Sequence, residues 1–134
     1  MRAALLLTIF CASCSADPAE PMPACIELTQ SCAPLYEPRF DEIHKRTLLP
    51  TCAQGGASCH SAEGKRGGLI LEDIDGAYDA LVDGGRVIPK DAPCSELIVR
   101  THQGGKDWSM PPRRPLSAEE RCVLRLWVEQ GAAR

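Results

Sequence analysis

The chain has 134 residues, enough for one domain and a leader, with 15 basic and 18 acidic residues and a formal net charge of −3. This balance excludes a strongly basic surface, so no nucleic-acid partner is predicted. Aromatic residues make up 4% of the chain, and eight residues are cysteines. Because so few large side chains fill a core poorly, we expect disulfides or a buried cofactor to contribute. The cysteines indicate an oxidising compartment.

The N-terminus has the pattern of a bacterial lipoprotein signal. Its apolar run at 3–10 is too short to cross a membrane, and two small residues precede Cys14. We therefore predict a signal peptide at 1–13 and lipidation of Cys14, which anchors the protein to a membrane in the periplasm or cell envelope. A plain secretory signal is the alternative, and it leads to the same compartment.

Residues 14–37 are predicted to form a proline-rich tether with a local disulfide. Cys25 and Cys32 have six residues between them and no histidine after the second cysteine, which favours a disulfide within the tether. The folded domain is then expected to span residues 38–134.

The domain is predicted to begin with a helix over 38–49. Pro38 suits a first turn, and apolar side chains recur on one face of the helix. Pro50 is expected to end it. His44 lies near the edge of the apolar face, and we expect it to be a partly exposed surface residue.

A Cys–His motif, consisting of Cys52, Cys59 and His60, follows this helix. A cysteine pair that ends in Cys-His is the arrangement that attaches c-type haem. Two thiols add to the vinyl groups of the porphyrin, and the adjacent imidazole ligates the iron. The usual gap is two residues; here it is six, and residues 55–58 are small enough to bulge outward as a loop.

Three further helices are predicted after the motif. Asp73 or Asp75 can cap a short helix over 77–82, and Ser95 precedes another. The clearest helix follows Ser117, because its Ser-x-x-Glu pattern is a capping box.

The loop over 101–116 carries the candidate second ligand of a haem iron. Met110 is flanked by a serine and a proline, and methionine is a common axial ligand in cytochromes c. His102 is the alternative ligand. Without something to hold it, we expect this loop to be disordered.

Six cysteines follow the predicted lipidation site, Cys14. If two of them hold haem, the remaining four allow three pairings. The simplest is Cys25–Cys32 with Cys94–Cys122, and the second of these bonds would tie the loop that carries Met110 to the last helix.

Taken together, these features resemble the small cytochrome c-like domains of bacterial secreted proteins and lipoproteins, of the planctomycete or myxobacterial type. The resemblance covers about residues 38–132. It rests on the order of the following segments: the helix leading into Pro50-Thr51-Cys52, Cys59-His60, Gly67-Gly68-Leu69, Val87-Ile88-Pro89 before Ser95-Glu96-Leu97, Ser109-Met110-Pro111-Pro112, Pro115-Leu116-Ser117-Ala118-Glu119-Glu120 and Leu126-Trp127-Val128-Glu129-Gln130-Gly131-Ala132. It implies an all-α cytochrome c-like fold, with long loops and disulfide staples, around one covalent haem c. It also implies Cys52 and Cys59 as thioether sites, His60 as proximal ligand and Met110 as distal ligand.

The resulting hypothesis is a membrane-anchored monohaem electron carrier, not an enzyme, that works as a monomer with redox partner proteins. Lys106, Arg113 and Arg114 could guide an acidic partner or simply form a solvated face. One alternative is a haem-free, disulfide-stapled lipoprotein with a binding or structural role, in which the two motif cysteines form a third disulfide. Another is a small zinc site built on the motif.

Overall fold

A computed structural model describes residues 19–28, 31–54, 56 and 59–134 of the chain. The predicted signal peptide at 1–13 and Cys14 lie outside these residues. Within them the chain forms helices and no strand, which confirms the predicted all-α class. The four α-helices are α1 (Phe40–Ile43), α2 (Ile74–Leu81), α3 (Glu96–His102) and α4 (Ala118–Glu129).

Helix α1 continues without a break into a π-helical segment, His44–Ala53. The prediction that Pro50 ends this helix is wrong, because Pro50 lies inside the segment. In an α-helix a proline ring clashes with the carbonyl four residues back. The wider π turn relieves that clash and lets the helix extend to Cys52.

The other helices start where the sequence places them. The Asp73 carboxylate accepts a hydrogen bond from Gly76 N at 2.8 Å and caps α2. Ser117 and Glu120 form the capping box of α4. Ser95 precedes α3 as predicted, but its hydroxyl donates to Asp91 O at 2.7 Å instead of capping the helix.

An aromatic cluster joins three helices in the core. The ring of Phe40 in α1 lies 5.1 Å from that of Tyr78 in α2 and 5.2 Å from that of Trp127 in α4. The Tyr78 hydroxyl also donates to Ala132 O at 2.9 Å. Concentrating the few aromatic residues at one point compensates for their scarcity, because each buries a large apolar area. In the described part of the chain, no helix is long and apolar enough to span a membrane.

The disulfides are Cys25–Cys94 and Cys32–Cys122, so the predicted pairing and the local disulfide are wrong. The N-terminal strap (residues 19–28 and 31–37) lies along the domain instead of closing on itself. Ile26 N donates to Pro93 O at 3.0 Å, and Leu35 N donates to Glu119 O at 3.3 Å. These main-chain bonds bring each strap cysteine to a different partner.

Candidate cofactor-binding site

The structure brings the two ends of the Cys–His motif together. His60 N donates to Cys52 O at 3.0 Å, so the six-residue gap is closed by a main-chain hydrogen bond. Cys52 and Cys59 are both part-buried, and neither is in a disulfide. The motif therefore keeps two cysteine thiols next to a histidine in the chain. The other four cysteines that the structure describes form the disulfides Cys25–Cys94 and Cys32–Cys122.

The imidazole of His60 is held in one tautomer. Its Nδ1 lies 3.0 Å from Arg66 O. Because a carbonyl oxygen only accepts, Nδ1 carries the proton, and the lone pair is on Nε2. A histidine that ligates a metal typically has this second hydrogen bond to a carbonyl or carboxylate, which fixes the ring and strengthens the ligand.

The loop after His60 is built by side-chain and main-chain hydrogen bonds. The Ser61 hydroxyl donates to Gly56 O at 2.8 Å and accepts from Gly64 N at 3.0 Å. A side chain at position 64 would place its Cβ 2.2 Å from Cys59 O, so only glycine fits there. A 3₁₀ turn, Arg66–Gly68, then presents the carbonyl that binds His60.

His44 is a supporting residue that the sequence prediction placed wrongly. It is only 7% exposed, and its Nε2 donates to Leu71 O at 3.0 Å. Leu71 N in turn donates to His60 O at 2.8 Å. The main chain of Leu71 thus links His44 to His60. The spacing of four residues from Phe40 and from Leu48 was the available signal that His44 faces the core.

The loop with Met110 is held by protein contacts, so the condition under which it was expected to be disordered does not apply. The Arg100 side chain donates to Trp108 O at 3.0 Å, and Met110 N donates to Arg100 O at 2.8 Å. The Ser109 hydroxyl donates to Gln103 O. These bonds attach the loop to α3 and leave the Met110 side chain part-exposed.

His102, the alternative ligand, faces the strap. It lines a cavity of about 360 Å³ together with Cys32, Cys122 and Arg121, and no residue of the Cys–His motif lines that cavity. Burial, and next the positive charge of Arg121, lower the pKa of His102 to about 4. A second cavity, of about 300 Å³, lies beside α2 and also lacks motif residues.

Burial raises the pKa of Cys52 to about 12, with a further contribution from Cys59. The Cys52 thiol is therefore neutral near pH 7, whereas zinc binding and disulfide exchange use the thiolate. Among the described residues, no group of three or more His, Cys, Asp or Glu side chains could hold a metal ion. The described residues thus offer no support for the zinc alternative.

The fold and the motif define a small all-α cytochrome c-like domain. Residues 57–114 match the family described as Planctomycete cytochrome C, and this match supports a cytochrome c-like domain over that part of the chain. The match includes Cys59, His60 and Met110, and Cys52 lies outside it. No curated protein and no solved structure matches the chain. In coarse terms the family indicates a haem protein that transfers electrons rather than an enzyme.

The residues present fit a covalently bound haem. Two thiols and an adjacent imidazole are the groups that a c-type attachment site needs, and the His60–Arg66 hydrogen bond leaves the Nε2 lone pair free of a proton, the form that could ligate an iron. Haem attached at this motif would supply an iron centre that gains and loses one electron.

Proposed function

We propose that this protein is a monohaem c-type electron carrier with His60 and Met110 as the axial ligands of the iron. The observation that carries the proposal is the hydrogen bond from His60 Nδ1 to Arg66 O, because it prepares Nε2 to ligate a metal. The domain match over residues 57–114 supports the same conclusion.

Cys52 and Cys59 are the proposed attachment points. Each thiol would hold the porphyrin by adding its S–H across a vinyl group, which gives a thioether without any oxidant. The loop between the cysteines is longer than usual, but the bond from His60 N to Cys52 O keeps its two ends together. The motif thus keeps both attachment cysteines close to His60 along the folded main chain.

Met110 is the proposed second ligand because its loop is already folded on α3. The bonds from Arg100 and Met110 N hold the backbone on both sides of Ser109. A histidine and a methionine together favour a relatively high reduction potential. If His60 and Met110 both ligate the iron, the chain would leave no coordination site for a substrate.

We further propose that the chain is exported, lipidated on Cys14 and active as a monomer that exchanges electrons with protein partners. Arg113 and Arg114 are exposed beside the Met110 loop and could contact an acidic partner. Lys106 forms an ion pair with Glu20 of the strap and is therefore a weaker candidate for that contact.

The decisive experiment is co-expression of the full chain with a c-haem maturation system in a periplasm, followed by a denaturing gel with haem-peroxidase staining. We expect the stain to stay with the polypeptide after boiling, and to be lost in Cys52→Ala/Cys59→Ala. A colourless band of the correct mass, beside a control cytochrome that matures normally, contradicts the proposal and favours the haem-free lipoprotein.

The axial ligand is tested on the same sample. Met110→Ala should remove the weak near-infrared absorption of the sulfur–iron bond, while the matched variant His102→Ala should retain it. The reverse result would assign the second position to His102.

A further inference from the structure

The strap begins beside the ligand loop (residues 104–115), the loop of the proposed methionine ligand. The Glu20 carboxylate of the strap forms an ion pair with the Lys106 ammonium of this loop. Two residues further on, Met22 is part-buried and packs against the hydrophobic core. The disulfide Cys25–Cys94 then fixes the next part of the strap to the domain. The N-terminal end of the strap is therefore held at the ligand loop.

Only a short length of chain separates this point from the proposed lipid. Cys14, the predicted lipidation site, precedes Glu20 by six residues. Six residues span at most about 20 Å when fully extended. A compact domain of roughly 115 residues is about 35 Å across. A lipid on Cys14 therefore keeps the ligand-loop end of the domain near the membrane, because the chain is too short to reach the opposite end.

The ligand loop is closed and positively charged. Its two ends come together, since a Cβ at Gly104 would lie 3.4 Å from Pro115 Cγ. Its charged side chains are three basic and one acidic: Lys106, Arg113, Arg114 and Asp107. Because the whole chain has a formal net charge of −3, this loop is a locally positive region on an acidic protein.

The two arginines of the loop have no partner in the domain. Arg113 and Arg114 are exposed, and among the residues that the structure describes neither guanidinium is in an ion pair or a hydrogen bond. Their charges are therefore available to an anion outside the protein. A basic side chain next to an anionic membrane strengthens the contact by about fivefold. Such a patch commonly acts together with a covalent lipid.

We propose that the ligand loop lies against an anionic phospholipid surface, with Arg113 and Arg114 contacting the headgroup phosphates. The inference rests on the proposed lipidation of Cys14. It goes beyond the proposed function, because it assigns the two arginines to the membrane instead of to an acidic protein.

The opposite end of α4 supplies the references for a test. The ligand loop leads into the start of α4 at Ala118, whereas Lys90 N donates to Val128 O near the end of that helix, and Arg134 follows that end in sequence. Twelve helical residues separate the two ends by about 18 Å. Lys90 and Arg134 are both exposed. We therefore expect their side chains to stay in solvent when the ligand loop contacts lipid.

The first test is chemical labelling of the full lipidated chain on vesicles. The protein is inserted from detergent into preformed vesicles of phosphatidylcholine, with or without phosphatidylglycerol, and treated with phenylglyoxal, which modifies exposed arginines. We expect Arg113 and Arg114 to react at least about fivefold more slowly on the anionic vesicles. Salt at about 1 M should remove this difference, because it screens charges beyond about 3 Å. Arg134 should react equally fast on both kinds of vesicle.

The second test separates local charge from net charge. Arg113→Gln/Arg114→Gln and Lys90→Glu each lower the net charge by two units, but only the first pair of changes lies in the ligand loop. The readout is acylation of the Lys106 amine. We expect anionic vesicles to slow this acylation in the unmodified protein and in Lys90→Glu, and to leave it unchanged in Arg113→Gln/Arg114→Gln.

Different failures have different meanings. If Arg113 and Arg114 react equally fast on both kinds of vesicle, or if Lys106 is protected equally in the two variants, the inference is overturned and the arginines stay open to an acidic protein. Mass spectrometry of the N-terminal peptide tests lipidation separately, and an unmodified Cys14 overturns the lipidation proposal together with this inference. Haem staining of the same sample decides the electron-carrier proposal independently. Should the double arginine variant not fold, labelling of the unmodified protein decides alone.

Discussion

Two regions of this chain contain cysteine pairs with the same spacing and opposite chemistry. Cys25 and Cys32 in the strap, and Cys52 and Cys59 in the motif, each have six residues between them. The strap cysteines are exposed and bond to distant partners, whereas the motif cysteines are part-buried and keep their thiols. Spacing alone therefore does not decide whether two cysteines pair.

The main chain around each pair explains the difference. The strap binds to the domain through main-chain hydrogen bonds to Pro93 O and Glu119 O. Its two cysteines are therefore held apart, and they bond to Cys94 and Cys122. The motif loop is closed by the bond from His60 N to Cys52 O. Burial holds the Cys52 thiol in its neutral form by raising its pKa to about 12. One pair forms disulfides that fasten the strap to the domain, and the other is the proposed attachment point for haem.

The largest expected effect comes from the strap. Cys32→Ser/Cys122→Ser opens a loop of 90 residues, and the chain-entropy model gives a loss of about 4 kcal/mol in the free energy of unfolding. Urea unfolding monitored by circular dichroism measures it. With every protein measured in its haem-free form, the matched variant Cys52→Ala/Cys59→Ala should lose less than half as much, because there it removes no cross-link. Equal losses in the two variants would remove the distinction between fastener and cofactor site.

The next largest effect is expected within the motif loop. Gly64→Ala forces a Cβ to within 2.2 Å of Cys59 O, and relieving this clash should cost about 2–3 kcal/mol and reduce haem attachment. Gly67→Ala is the control. Gly67 has a φ of +63° and open space around it, so that variant should lose only about 1 kcal/mol. Unfolding curves and haem staining of both variants compare the cost of a steric clash, at position 64, with the cost of a strained backbone angle, at position 67. If Gly64→Ala were as stable as Gly67→Ala, the close packing of Gly64 against Cys59 O would be contradicted.

A smaller effect is expected where the two histidines are linked through Leu71. His44→Phe keeps an aromatic ring but leaves Leu71 O without its donor, which should cost about 2 kcal/mol. His44→Gln restores a donor and should recover part of the loss. Thermal unfolding of the haem-free chain measures both variants. If His44→Phe and His44→Gln unfold at the same temperature, the hydrogen bond to Leu71 O does not contribute to stability.

The smallest effect concerns pH. His102 has a folded-state pKa of about 4, below the ordinary value of 6.5, so the unfolded chain binds the proton more tightly. Its contribution to stability is present above about pH 6.5 and is lost as pH falls toward 4. Allowing for its partial exposure, we expect about 1 kcal/mol. Urea titrations between pH 4 and 7 should show this slope, and His102→Gln should flatten it. A slope that persists unchanged in the variant would assign the effect to another group.

Local signals predicted much of the fold because they act within a few residues. The Ser117–Glu120 capping box and the Asp73 cap set the starts of α4 and α2, and both are present in the structure. Pro50 shows where such signals stop being sufficient. A proline normally ends an α-helix, but it was accommodated by a π-helical turn whose formation depends on the packing of the whole segment.

The sequence by itself determined that the chain is helical and where most helices begin, and it predicted that Cys52, Cys59 and His60 form a haem-attachment motif. These features depend on residues that are close together in the sequence and on their spacing along the chain. Only the tertiary structure decided the pairing Cys25–Cys94 and Cys32–Cys122 and the burial of His44. Each of these depends on which distant segment packs against the residue, because hydrogen-bond partners and burial are properties of the packed interior and not of the local chain.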